Sequence, residues 1–202
     1  MKKALLLITL CSLSLAVSAQ SYNNMITEYR KNYRKAFVTD PESPLKPADT
    51  AFLRFYKIDK NYCVVATLQR TPNAKPFAIQ THSGKSKSFR QYGTLSFTLL
   101  HKPLKLQVYQ NMMFINDPQY KDELFIPFTD DTNYKETYGG GRYIDISLND
   151  IRDNKVILDF NKCYNPLCAF ASGFSCPIPP KENSLKVAIR AGERSFGRPT
   201  KE

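Results

Sequence analysis

Arg142-Tyr143-Ile144-Asp145-Ile146-Ser147-Leu148 and Lys155-Val156-Ile157-Leu158-Asp159-Phe160 decide the fold class. In each run the large apolar residues recur at every second position, the period of a strand with one buried face. The segment from Asn149 to Asn154 supplies the turn residues between them. A hairpin centred on Arg152 sets Leu148 opposite Val156, Ile146 opposite Leu158 and Ile144 opposite Phe160. All the large apolar side chains then share one face, whereas a slip of one residue scatters them. The other face carries Tyr143 with Asn161, and puts Asp145 directly across from Asp159.

Upstream, the same pattern recurs in short segments: Ala51 to Tyr56, Tyr62 to Gln69, Pro76 to Thr81, Ser86 to Arg90, Thr94 to Leu100 and Leu104 to Gln110. Leu124 to Phe128 adds another, and Ser184 to Arg190 reads as a last strand. With no helical crossovers between them, these segments predict consecutive antiparallel strands. After Asn161 the alternation stops for about twenty residues, long for a loop and typical of a functional or tightly pinned segment. Ahead of the strands, Met25, Ile26, Tyr29, Tyr33 and Phe37 fall at helical spacing. The fold expected is mainly β: a single-domain antiparallel β-sandwich or partly closed barrel with an N-terminal amphipathic α-helix.

Residues 1–19 have the layout of a secretory signal peptide: Lys2 and Lys3, an apolar run from Ala4 to Val17, and Val17-Ser18-Ala19 before Gln20. Cleavage near Ala19 leaves residues 20–202 as one β-rich domain, and an exported protein, periplasmic or secreted, with no stable membrane anchor. Lys2 and Lys3 leave with the leader, which takes the formal charge from +11 to +9. A surface of this charge predicts weak binding to anionic envelope polymers. Basic and aromatic residues interleave in residues 21–37, yet a packing helix with a solvated basic face accounts for them, and no nucleic acid is expected.

Cys63, Cys163, Cys168 and Cys176 remain after cleavage, enough for two disulfides in any of three connectivities. Cys168 and Cys176 are expected to bond to each other rather than to act as nucleophiles. Their spacing is not that of a zinc finger, and His82 and His101 are the only histidines.

Two carboxylates opposite one another, about 5 Å apart at Cβ, repel and need compensation. A bound cation, a shared proton, or an arginine such as Arg142 or Arg190 supplies it. Asp145 and Asp159 are thus either the floor of a polar site roofed by the loop after Asn161, or a structural ion network. Glu182 and Asn183 reach back to that site or form a surface turn.

Several motifs resemble the bacterial domain of unknown function family numbered 1684. They are Leu124-Phe-Ile-Pro-Phe-Thr-Asp, Tyr138 through Gly141-Arg-Tyr-Ile-Asp, Leu158-Asp-Phe-Asn, Tyr164-Asn-Pro-Leu-Cys-Ala, Cys176-Pro-Ile-Pro-Pro-Lys-Glu-Asn and Ile189-Arg-Ala-Gly-Glu. The resemblance implies no reaction, since the family has no established activity. It points to Asp130, Thr132, Tyr138, Arg142, Tyr143, Asp145, Asp159, Asn161, Tyr164, Asn165, Cys168, Cys176, Glu182, Asn183 and Glu193. Cys163 stands where the family has a small residue and Cys63 has no counterpart, so a Cys63–Cys163 disulfide is expected as a feature of this chain.

Together these readings predict a binding module for a small polar ligand or cation. Its candidate contacts are Asp145, Asp159, Asn161, Arg142, Tyr143, Tyr138, Asn165 and Glu182; no metal or cofactor is named. The alternatives are a hydrolase using one carboxylate as general base with Arg142 or Tyr143, and a structural envelope protein.

Overall fold

The computed structural model describes residues 2–197, and the side chains of residues 20–197. The long helix α1 (Lys2–Thr39) leads into seven strands: β1 (Cys63–Arg70), β2 (Phe77–Gln80), β3 (Ser86–Leu99), β4 (Lys102–Asn111), β5 (Glu123–Phe128), β6 (Arg142–Ser147) and β7 (Lys155–Asp159). The leader expected over residues 1–19 runs into α1, and its side chains lie outside those described. All strand pairs are antiparallel, in the order β6-β5-β4-β3-β1-β7, with β2 on the first half of β3. The fold is a single, mainly β domain in which the sheet curls into a half-barrel.

Curvature is concentrated in β3, the longest strand. Its register shifts between Gln91 and Gly93, a bulge that bends the ladder. A Cβ on Gly93 would stand 2.6 Å from the Gln69 carbonyl oxygen of β1, so the bend needs glycine there. The inner face then closes on one core containing Leu95, Leu106, Val108, Leu124, Ile126, Ile144, Ile146, Val156, Leu158 and Phe160.

The expected β6–β7 hairpin does not form. β6 pairs with β5, Asp145 lying opposite Phe125, and β7 pairs with β1, Asp159 lying opposite Cys63. The chain reverses at Asp153-Asn154, both left-handed (φ 49° and 58°), with Arg152 bridged to Lys155. The two strands then stand at opposite ends of the sheet order. Ile144, Ile146, Leu158 and Phe160 share a core because they meet across the half-barrel, not because their strands are neighbours. Asp145 and Asp159 are therefore not a cross-strand pair.

Two other segments differ from expectation. Pro47–Phe52 is a 3₁₀ helix, started by Pro47 and by the Asp49 carboxylate accepting from the Lys46 N–H, where a strand was expected from Ala51. Ser184 to Arg190 keeps its alternation, and Leu185, Val187 and Ile189 enter the core. It forms no ladder, however; among the described residues its one backbone bridge is that between Thr129 and Ser184.

That C-terminal segment lacks regular structure, so side chains satisfy its backbone. Arg142 is fully buried, as is Glu193, at 0% exposure. The Arg142 guanidinium donates to the carbonyls of Ala191 (2.6 Å), Ile189 (2.9 Å) and Glu193 (3.2 Å), and to Asp130 Oδ1 (3.2 Å). Asp130 Oδ2 in turn accepts from the Ile189 N–H at 2.7 Å. Held this way, Glu193 presents Oε2 to the Tyr33 hydroxyl (2.9 Å) and the Asn165 N–H (2.7 Å). One residue thereby ties α1, the loop after β7 and the C-terminal segment together.

Asn183 does comparable work inside the sheet. β4 and β5 share one register pair, Tyr109 with Phe125. Beyond it the Asn183 amide acts as a peptide would, accepting from the Gln107 N–H (2.6 Å) and donating to the carbonyls of Gln107 (2.9 Å) and Pro127 (2.8 Å).

The docked face of α1 uses tyrosine hydroxyls as well as apolar surface. Ile26 and Phe37 are buried, while Tyr22 donates to Asp159, Tyr29 to the Lys162 carbonyl and Tyr33 to Glu193. Arg30 and Arg34 donate to the carbonyls of Tyr56 and Leu53 and stack on Phe55 at 4.8 and 5.0 Å.

Two stability measurements follow from these contacts. Asn183→Ala takes the partner from one buried and two half-buried backbone groups and should lower the unfolding free energy by about 3 kcal/mol in urea. A loss below about 1 kcal/mol would show that the amide does not bridge the strands. Burial pushes the Glu193 carboxyl from 4.5 up to about 7, against the lowering hydrogen bonds of Asn165 and Tyr33. A carboxyl raised on folding holds its proton more tightly in the native state. Its stabilising contribution is complete below about 4.5 and is lost as pH rises through about 7. Unfolding free energy should thus fall by on the order of 3 kcal/mol from this group across that range. Glu193→Gln, which keeps the shape of the protonated acid, should remove that part of the slope; an unchanged slope would contradict the assignment.

Candidate functional site

The outer face of the sheet, away from the core, is as informative as the inner one. From β6 it presents Tyr143 and Asp145, and from β5 Glu123 and Phe125, with Phe125 directly across from Asp145. β4 adds Tyr109 opposite Phe125, and Asn111, which pairs with Phe89 of β3. Lys87 lies two residues before Phe89 on the same face. Ile79, Phe89 and Tyr109 are buried here in a second apolar cluster against Phe125.

A roof turns this face into a cleft. Tyr164 forms an antiparallel bridge with Tyr143, through N–H···O bonds of 2.9 and 3.0 Å, and leads the irregular loop over the sheet. The Cys168–Cys176 disulfide clips that loop, as the sequence predicts. Tyr33 and Phe37 of α1 close one end, and Phe114 and Tyr120 from the loop after β4 close another. The resulting cleft holds about 390 Å³ and is lined mainly by aromatic and apolar side chains, with Lys87, Glu123, Asp145, Asn111, Asn165 and Ser175 as polar members. That volume is at the small end of the range for ligand pockets.

Asp145 and Glu123 are the carboxylates of this cleft. The Asp145 side chain is exposed to solvent at the mouth, while protein packs closely around its other sides. The Tyr164 hydroxyl donates to its Oδ2, and no described residue donates a hydrogen bond to Oδ1. Burial pushes the Asp145 carboxyl up to about 6; the Tyr164 hydrogen bond pulls it down, and the neighbouring Glu123 charge raises it. Glu123 is itself raised by burial. The carboxyl therefore changes charge just below neutrality.

Of the other expected site residues, Tyr143 and Asn165 line the cleft with Asp145. The Tyr143 hydroxyl is committed to the Pro177 carbonyl, which helps hold the roof. Asp159 and Asn161 lie elsewhere. Asp159 accepts from the Tyr22 hydroxyl at 2.9 Å and from both the backbone and side-chain nitrogens of Asn161 at 3.0 Å, and Asn161 continues to the Asp59 backbone. These neutral donors satisfy Asp159 without a cation. Arg142 belongs to the buried network with Asp130. Tyr138 packs edge-on against His82, 6.3 Å between centroids, and Glu182 is exposed; neither lines the cleft.

The expected Cys63–Cys163 disulfide is absent. Cys63 is a free thiol beside Asp159 and Tyr22. The Cys163 thiol is free too, buried against the Ala191 carbonyl and Gly192. Gly192 is left-handed, and a Cβ there would collide with Cys163, so the pair fits only because one member is glycine. Among the described residues no group of three or more His, Cys, Asp or Glu is placed to hold a metal ion.

The sequence singled out Asp145, Tyr143, Asn165 and the roofing loop, but not the aromatic and charged residues of the neighbouring strands. Tyr164 carried part of the family resemblance without a role. Phe125 and Glu123 were legible in principle, because Leu124 to Phe128 alternates and its odd positions leave the core. Lys87 had no signal, since its place in the same cleft as Asp145 depends on the strand order β6-β5-β4-β3.

The fold is similar to that of an uncharacterised protein of Haloarcula marismortui solved by solution NMR, with 29% sequence identity, a TM-score of 0.68, and coverage of 88% of this chain and 96% of that one. No curated protein matches the chain. The model of the family described as "Protein of unknown function (DUF1684)" matches residues 50–194, a span that contains the sheet floor of the cleft, its loop roof and the Arg142 network. The chain belongs to that family.

Proposed function

We propose that this protein is a small-molecule binding module whose ligand lies in the outer-face cleft, apolar body against the aromatic walls and polar head on Asp145. The observation that supports this most is the state of the carboxylate itself. One oxygen is fixed by Tyr164, and the other faces the cleft without a protein donor. A fixed acceptor in an aromatic pocket is the arrangement that orients a ligand. This reading narrows the expected polar ligand to an amphipathic one. Export by way of the leader at residues 1–19 places the module outside the cytoplasm.

A hydrolase remains the second reading, supported by the same carboxyl. A group that titrates near 6 in a concave site is suited to general-base work. The two readings separate by experiment: a hydrolase turns over 4-nitrophenyl acetate with a pH midpoint near that of Asp145 and loses this in Asp145→Asn, whereas a binding module has no such turnover.

Nitrogen-15 NMR titration with three benzyl compounds of different charge, benzylamine, benzyl alcohol and phenylacetate, tests the binding reading. At least one should give saturable shifts confined to residues around Phe125, Tyr143, Asp145 and Tyr164. Leu167→Trp, which fills the rim, should weaken them about tenfold or more. Shifts elsewhere, or none from any of the three, would overturn the reading.

A further inference from the structure

The charge of the cleft runs against the charge of the chain. Overall the protein carries a formal +11. Inside the cleft two carboxylates, Asp145 and Glu123, face a single cation, Lys87, and neither carboxylate is within ion-pair distance of it. The walls add to this sign. Phe125 meets Tyr143 at 4.7 Å and Tyr143 meets Tyr164 at 5.8 Å, each edge to face, while Tyr33 lies 6.1 Å from Tyr164. Ring faces carry negative quadrupole potential and attract organic cations.

Lys87 is the one charged donor lining the cleft, and several of the neutral donors nearest Asp145 are committed inward. The hydroxyls of Tyr33, Tyr143 and Tyr164 go to Glu193, the Pro177 carbonyl and Asp145 respectively. The Asn165 N–H goes to Glu193 and its side-chain amide nitrogen to the Arg194 carbonyl. Next to these committed donors the cleft offers a ligand an acceptor, Asp145 Oδ1, beside aromatic walls.

Building on the reading of this cleft as a binding site, we propose that its ligand is an organic ammonium ion, an amine or quaternary ammonium with an apolar body about the size of one ring. The ammonium sits on Asp145 between aromatic side chains, with Glu123 adding long-range attraction. Inorganic cations are poorly suited, because aromatic walls supply no oxygen ligands to replace their hydration.

Calorimetry and nitrogen-15 NMR with benzylamine, benzyltrimethylammonium, benzyl alcohol and phenylacetate test the assignment. The two cations should bind at least about tenfold more tightly than benzyl alcohol, with phenylacetate weakest. Asp145→Asn should weaken both cations about tenfold or more and so remove the preference for cations over benzyl alcohol. Lys87→Met should strengthen cation binding, an effect opposite in sign to any general loss of folding. Equal or tighter binding of benzyl alcohol or phenylacetate at the cleft would overturn the ammonium assignment and leave the binding module standing. No binding by any of the four would overturn both.

Discussion

The buried Arg142 guanidinium is the interaction on which the rest depends. A charge at full burial is tolerable only when it is well partnered, and here the two terminal nitrogens go to three carbonyls of the C-terminal segment and to Asp130. Those carbonyls belong to a stretch with no ladder of its own. Arg142 thus fixes residues 189–193 against the end of the half-barrel. Glu193, positioned as a consequence, receives Tyr33 from α1 and Asn165 from the loop. Both of those residues line the cleft, so its shape is set from the opposite side of β6.

β6 accordingly serves two environments. Ile144 and Ile146 face the core, while Tyr143 and Asp145 face the cleft, and Arg142 at its start anchors the segment that holds the roof. The half-barrel explains why an outer face becomes apolar. Phe89, Tyr109 and Phe125 on that face need cover, which the loop after β7 supplies through Tyr164, the disulfide and the Tyr143–Pro177 hydrogen bond. The cover is incomplete where Asp145 and Glu123 stand, and this leaves the cleft.

Much of this was legible in the sequence, and the failures share a cause. Alternation in Arg142 to Leu148 and Lys155 to Phe160 placed the right residues in the core. It did not identify the partner strands, because the same phase suits any two strands that face one interior. Ser184 to Arg190 repeats the point: Leu185, Val187 and Ile189 are buried as the pattern required, yet the segment pairs with no strand. Asp159 looked like half of a charged pair because Tyr22, its donor, lies on a helix far away in sequence. The Cys168–Cys176 bond was expected from an even number of cysteines in a chain read as exported, and it forms. Cys163 was not, since its environment is a left-handed glycine in the C-terminal segment.

The central claim is that the roof is held down firmly enough to pack protein closely around Asp145 beside aromatic walls, although its side chain stays open to solvent at the mouth. Carbon-13 NMR titration of the Asp145 side-chain carboxyl tests this directly. Asp145 packed this way should titrate near 6, well above the 3.8 of a free aspartate. A midpoint at the free value would mean that the loop does not pack against it and that the cleft is not built as described.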